Sequence, residues 1–329
     1  MPDARAALGW AVEQHLHDVV EDIAALAFIS AVRGYYEMSR WCFDLRDELH
    51  DLMCLQSAAS YYTLYSTGDL AETRRLCERA IERIGVNSGI VWPWTHLGTA
   101  AFNEGHYDEA VELHTMSYTM SEERSNDIFD RVLGSGTLGA FLAATGHDPT
   151  AYVQQALERA EAVQWPTGLA HYDAGLAVLE TDPVASLEEL TTAVRITVDV
   201  ECRYMEATAQ TLVIHLQRSL LPQGELAAEL SRLLRRLQEI RDSGASFLAL
   251  SSVIVLLAET DRPVTAALIC GWLDGRHGRS AQGLEPHDAA VANARESVGD
   301  RWNALLQQGR RMTSDQIIDA ASDELATIE

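Results

Sequence analysis

The chain has 329 residues, 47% of them hydrophobic, with mean hydropathy −0.08 and a formal net charge of −24. That is enough apolar material for a large core, as one long helical array or as two ordinary domains. So acidic a balance excludes a grip on nucleic acid by the chain itself, because phosphate contacts need clustered positive charge, and no run of about 18 apolar residues spans a membrane.

Apolar spacing predicts helices over 5–17 and 19–33, the second ending at Gly34, with Tyr36, Ser39 and Phe43 at the offsets of a following helix. The next pair is 51–67, Gly68 and 69–84, with Cys77 and Ala80 facing inward. The third spans 92–112, with Trp94-x-x-Leu97-Gly98, then Gly105, Tyr107 and Ala110. This spacing resembles one helix–turn–helix unit of the tetratricopeptide kind. Small residues at 98 and 110 let two antiparallel helices approach, and a turn glycine avoids the strain a side chain would bring. Ala101 stands where Tyr is usual and His114 where Phe is usual. The fourth pair carries Leu138-Gly139, Gly146 and a helix starting near Pro149 or Thr150. The turn glycines at 34, 68, 105 and 146 give spacings of 34, 37 and 41, the drift of a divergent repeat array.

Later pairs fall at 167–180 with 184–198, joined by Asp182-Pro183, at 203–220 with 223–241, and at 246–259 with 263–275. A polar break follows at 276–286, then helices at 287–310 and 314–326, with Thr313 or Ser314 as N-cap of the last. Period-two runs are nearly absent. The expected fold is all-α: a right-handed α-solenoid over 1–275, continuous with a loop and capping helices over 276–329.

Two stretches carry a second resemblance. PDARAALGWAVEQ with YYEMSRWCFDL lies near the start; LLAETDRPVTAALICGWLDG with ESVGDRWNALLQQGRRMTSDQIIDAAS lies near the end. They resemble the tetratricopeptide-like sensor region of large signalling ATPases, comprising LuxR-type transcription regulators and class III adenylyl cyclase fusions. Cys270-Gly271-Trp272 departs from the pattern, where Gly-Ala-Ala would be commoner. The resemblance implies a nucleotide-binding module before this region and often a DNA-binding helix-turn-helix after it. Glu329 falls about where the latter would begin, so the chain reads as the sensor and scaffold portion.

Signals for chemistry are weak beside this. All 25 basic residues are Arg, which removes the P-loop lysine, Schiff-base chemistry and a lysine base. The absence of Lys reads as the coding bias of a GC-rich sequence. Cys42, Cys54, Cys77, Cys202 and Cys270 form no CxxC pair and read as buried thiols. The N-terminus lacks a signal layout, so a cytoplasmic location is expected. Gly134-Ser-Gly136-Thr-Leu-Gly139 matches the dinucleotide fingerprint literally. That motif needs a strand before it and an acidic strand end about 20 residues on. NDIFDRVL alternates poorly, Glu158 and Glu161 are in a helical pattern, and Gly139 falls on the small packing position. Glu13, His17 and Glu21 stand four apart and read as a solvated face; His106, Asp108, Glu109 and His114 surround one turn, His114 as a hydrogen-bonded core histidine. His277 and His287 flank the loop without a partner that spacing identifies. No nucleophile elbow, Walker motif or Cys–His spacing appears, so no catalysis, cofactor or metal is expected.

A partner groove remains. The register set by the turn glycines puts Tyr62, Tyr65, Trp92, Thr95, Thr99, Phe102 and Asn103 on its concave lining, unless Trp92 and Tyr62 simply pack between helices. Aromatic area with small polar handles suits recognition, and the acidic background favours a basic or amphipathic peptide or partner domain. The reading is a non-enzymatic interaction or sensor scaffold, with oligomer formation open. The alternative is a small-molecule effector domain with an enclosed pocket.

Overall fold

The computed structural model describes residues 2–32, 36–84, 91–125, 127–161, 167–240, 243–274 and 287–328. Every element among them is helical, so the protein is all-α. Two compact units divide at Glu206, inside the stretch that repeat spacing treats as one array. Gly34 and the break at 276–286 lie outside the described residues.

The first unit contains α1 (Pro2–Glu13), α2 (His17–Val32), α3 (Glu37–Leu45), α4 (Met53–Tyr61), α5 (Leu70–Ile84) and α6 (Trp92–Asn103). It continues with α7 (Tyr107–Arg124), α8 (Ile128–Ala144), α9 (Thr150–Ala160), α10 (Thr167–Ala177) and α11 (Pro183–Asp199). Each helix packs on the next, and alternate helices also touch at α2–α4, α4–α6 and α8–α10. The apolar interior comes in successive patches. One gathers Leu55 and Leu76, another Cys77, Leu97, Ala101 and Ala110, a third Val132, Ala156, Ala160 and Ala170. Local burial of this kind is how stacked hairpins hold together.

One turn device recurs. His106 N–H reaches Ala101 O at 2.8 Å and His147 N–H reaches Leu142 O at 2.8 Å, each across a left-handed residue, Gly105 (φ 84°) and Gly146 (φ 79°). These two are Schellman caps, in which glycine escapes the Cβ penalty. Gly68 (φ 69°) is spanned by a wider bond, Asp69 N–H to Thr63 O at 3.0 Å, six residues back. The Schellman bond also closes turns at His15, Glu201 and Asp261, all with φ near 56–57°, so three of these five caps lack the glycine that marks them in sequence.

Two readings of the sequence are corrected here. Helix α1 stops at Glu13 and α2 starts at His17, so Glu13, His17 and Glu21 are not on one helix face. Glu21 instead accepts the Leu55 N–H at 3.1 Å, near the start of α4. Helix α4 also runs into a π-helical segment, Tyr62–Thr67, before Gly68. A wider turn rotates everything after it relative to an α-helical register.

Helix α12 (Arg203–Gln217) straddles the division. The second unit continues with α13 (Gln223–Ile240), α14 (Ser243–Glu259), α15 (Pro263–Asp274), α16 (His287–Val298), α17 (Trp302–Arg311) and α18 (Ser314–Leu325). The expected single helix at 287–310 is broken by a 3-10 turn at Gly299–Arg301, where Gly299 has φ 55°. This unit is a bundle more than a succession. Helix α14, apolar all round with Val253, Ile254 and Leu257 fully buried, touches α13, α15, α16 and α18. An all-round apolar helix belongs at a core, which is where it sits. Glu324 of α18 accepts from Arg262 at 3.2 Å and from Thr265 at 2.9 Å, tying α18 to the start of α15.

Thr313 caps α18 as expected, in a reciprocal capping box with Gln316. Thr313→Ala should lower unfolding stability by about 1 kcal/mol, read from the urea midpoint at unchanged m-value.

Candidate binding face

In the first unit the inward faces of alternate helices bring aromatic rings together. Tyr61 and Tyr65 stand one turn apart, their ring centroids 4.6 Å from each other. His96 of α6 lies 5.5 Å from Tyr61 and 6.1 Å from Tyr65, and Trp92, one turn earlier on the same face, lies 5.9 Å from His96. Trp92 stacks on Phe129 of α8 at 5.7 Å. Tyr204, at the start of α12, closes the ring at 5.8 Å from Tyr65 and 6.5 Å from Tyr61. Tyr61 and His96 are the buried floor, while Tyr65, Trp92, Phe129 and Tyr204 are half-buried walls.

His96 gives this floor a polar point. The Ser60 hydroxyl donates to Ser57 O at 2.8 Å, so its oxygen is left to accept from His96 Nδ1 at 2.9 Å. With the Ser60 proton assigned to Ser57 O, the ring proton is placed on Nδ1 and Nε2 is left as an acceptor. Nε2 is buried without a hydrogen-bond partner among the described residues. Burial pushes the imidazole pKa down to about 3, so the ring is neutral across the physiological range.

The expected groove residues divide. Tyr65 and Trp92 belong to the cluster. Tyr62 faces elsewhere and packs on Phe43 of α3 at 5.4 Å. Thr95 is buried, its hydroxyl 2.8 Å from that of Ser117 on α7. Thr99 spends its hydroxyl on Thr95 O at 3.0 Å. Phe102 packs edge-on to Phe141 of α8 at 4.8 Å, and half-buried Asn103 ends α6 beside it. The π-helical turn explains the split between Tyr62 and Tyr65, since a register counted back from Gly68 at 3.6 residues per turn fails there. Tyr61 and His96 were detectable as the neighbours one turn from Tyr65 and Trp92; Tyr204 has no local signal.

Other candidate residues serve packing. Gly134, Gly136 and Gly139 all lie inside α8, and no strand precedes them among the described residues. A Cβ on Gly139 would stand 2.7 Å from Val153 Cγ2, and one on Gly134 would stand 2.6 Å from Ser121 Oγ. Gly136 makes room for the Asp173 carboxyl of α10. Asp173 Oδ2 is buried with no partner among the described residues, and burial holds its pKa well above the usual carboxylate range. His114 is a core residue, as its repeat position implies, but not a hydrogen-bonded one at Nε2. It stacks on Phe141 at 3.9 Å beneath Gly98, and burial, then the nearby His96, push its pKa down to about 3. His106 instead joins an exposed ion network, where Arg74 donates to Glu104 at 2.6 Å and Glu109 at 2.9 Å. Cys42, Cys54, Cys77 and Cys270 have thiol pKa values pushed up to about 12 by burial, which removes the reactive thiolate.

The chain matches no protein-family model and no curated protein.

Proposed function

We propose that the protein is a non-enzymatic interaction or sensor scaffold, whose first unit is a right-handed α-solenoid of tetratricopeptide-like hairpins that holds a peptide or partner domain on its concave aromatic face. The observation that carries this reading is the cluster itself. Half-buried Tyr65, Trp92, Phe129 and Tyr204 surround a floor with one bare acceptor, His96 Nε2. Apolar area around a single polar handle favours an inserted side chain that brings a donor. The left-handed turn glycines at Gly68, Gly105 and Gly146 and the contacts between alternate helices support the repeat architecture. The likeness of the end stretches to LuxR-type and cyclase-fused signalling ATPases favours a place as the sensor region of such a regulator. An acidic chain prefers a basic or amphipathic partner.

The alternative is a small-molecule effector domain, favoured by the unpartnered buried atoms of His96, His114 and Asp173. A display library of random peptides selected on the whole chain separates the two. Binders should lose at least tenfold in affinity with Trp92→Ala and with Tyr65→Ala at unchanged helical content, and lose little with Tyr62→Ala. Binders indifferent to Trp92 and Tyr65 would remove the aromatic face from the reading, and a library yielding none would favour the small molecule.

A further inference from the structure

A second candidate site, which shares no residue with that face, lies between the first and third helices. Helices α1 and α3 flank an open cleft of about 660 Å³, lined by Arg5, Gly9, Trp10 and Glu13 on one side and Glu37 and Trp41 on the other. Each helix supplies its lining at helical spacing: Arg5, Gly9 and Glu13 stand four apart, as do Glu37 and Trp41.

Three features of this cleft lack a packing explanation. Trp10 is 55% exposed, although an indole is among the most valuable side chains to bury. Gly9 sits inside α1, where glycine weakens a helix, yet a Cβ there would meet nothing within 4 Å. It clears space without allowing any close helix contact. Glu13 and Glu37 enter no ion pair among the described residues, although Arg5 lines the same cleft. The Arg5 guanidinium instead lies over the Trp41 ring, 5.7 Å from its centroid. The cleft thus already displays the contact it is suited to make, a guanidinium on an indole face.

We propose that the α1–α3 cleft binds an arginine-bearing segment of a partner protein. The incoming guanidinium stacks on the open Trp10 ring and donates to the carboxylates of Glu13 and Glu37, and the gap at Gly9 admits its stem. Arginine fits better than lysine because its planar fork satisfies stacking and two acceptors together, whereas an ammonium is a compact, strongly hydrated point charge. The net charge of −24 raises the local concentration of any basic segment, and the cleft provides the discrimination. The volume exceeds what one guanidinium fills, which suits a side chain with its flanking backbone. This site shares no residue with the aromatic face and does not depend on it.

The test titrates the whole chain by calorimetry with acetyl-Gly-Arg-Gly-Arg-Gly-amide and with the same peptide carrying Lys for Arg. The arginine peptide should bind at least several-fold more tightly than the lysine peptide. Its affinity should fall about tenfold or more with Trp10→Ala and with Glu13→Gln/Glu37→Gln together. Gly9→Leu fills the gap while improving helix propensity, so it should abolish binding without lowering thermal stability. Trp92→Ala should leave arginine binding unchanged, which separates this site from the aromatic face. Equal affinity for the two peptides would reduce the effect to general attraction by an acidic chain and overturn the proposal. So would undiminished binding by the Gly9→Leu variant, or no binding of the arginine peptide to the unaltered chain.

Discussion

Gly309→Ala and Gly271→Ala should each destabilise the second unit by about 3 kcal/mol or more, the largest effects expected of any single methyl in this protein. Helices α15 and α17 cross with backbone almost on backbone. A Cβ on Gly309 would run into the carbonyl of Leu268, and one on Gly271 into the carbonyl of Leu306. Neither obstacle is the end of a side chain that can rotate away. The helices must separate, and separation loosens Trp272, which is 1% exposed and follows Gly271 in α15. Alanine raises intrinsic helix propensity at both positions, so a loss of stability isolates the crossing itself. Gly105→Ala is the comparison: nothing crowds its Cβ, and only its φ of 84° resists, for about 1 kcal/mol. Thermal unfolding followed by circular dichroism decides. A Gly271→Ala protein melting with the unaltered chain would mean that the two helices are not in contact as described.

Asp173→Asn should be more favourable to stability at pH 7 than at pH 3.5, because the native carboxyl loses stability as pH rises and the amide does not. Asp173 is buried against Gly136, and burial raises its pKa well above 3.8. Between 3.8 and the raised folded pKa, the folded chain therefore keeps the proton while the unfolded chain releases it. Below pH 3.8 both states are protonated and the group contributes no difference. As pH rises from 3.8 towards the folded pKa, the unfolded state gains about 1.4 kcal/mol per pH unit, and stability falls by that amount. Asparagine keeps the shape and does not titrate, so its advantage must grow with pH. Any constant penalty for its buried amide appears equally at both ends and drops out of the comparison. Urea unfolding of both proteins at pH 3.5 and 7 reads the difference. A gap that is the same at both values would mean that Asp173 is ionised in the fold.

Much of the helical plan was legible because its signals are local. Apolar spacing, Asp182-Pro183, Leu221-Pro222 and the glycines at 68, 105 and 146 mark helices and turns within a few residues of themselves. Thr313 announced its cap for the same reason. The turns at His15, Glu201 and Asp261 use the same hydrogen bond without glycine, so the repeat fades in sequence while the cap persists in structure. Two kinds of information were not local. The π-helical turn at Tyr62–Thr67 shifts the register one turn before Gly68, and the sequence contains no breaker to announce it. Tyr204 meets Tyr61 and Tyr65 across more than a hundred residues, a contact no periodicity encodes. The arginine, glycine and threonine positions near the C-terminus have a concrete physical role in this fold. Arg262 holds Glu324, Gly271 and Gly309 form the α15–α17 crossing, and Thr313 caps α18.

The most direct measurement is amide hydrogen exchange resolved across residues 128–144, with and without added NADH. If Gly134, Gly136 and Gly139 serve only to let α8 lie close against its neighbours, the whole segment should be as protected as residues 92–103 and unaffected by the dinucleotide. Fast exchange confined to 133–139 that slows when NADH is added would instead reveal a phosphate-binding loop, and a nucleotide-binding protein in place of a scaffold.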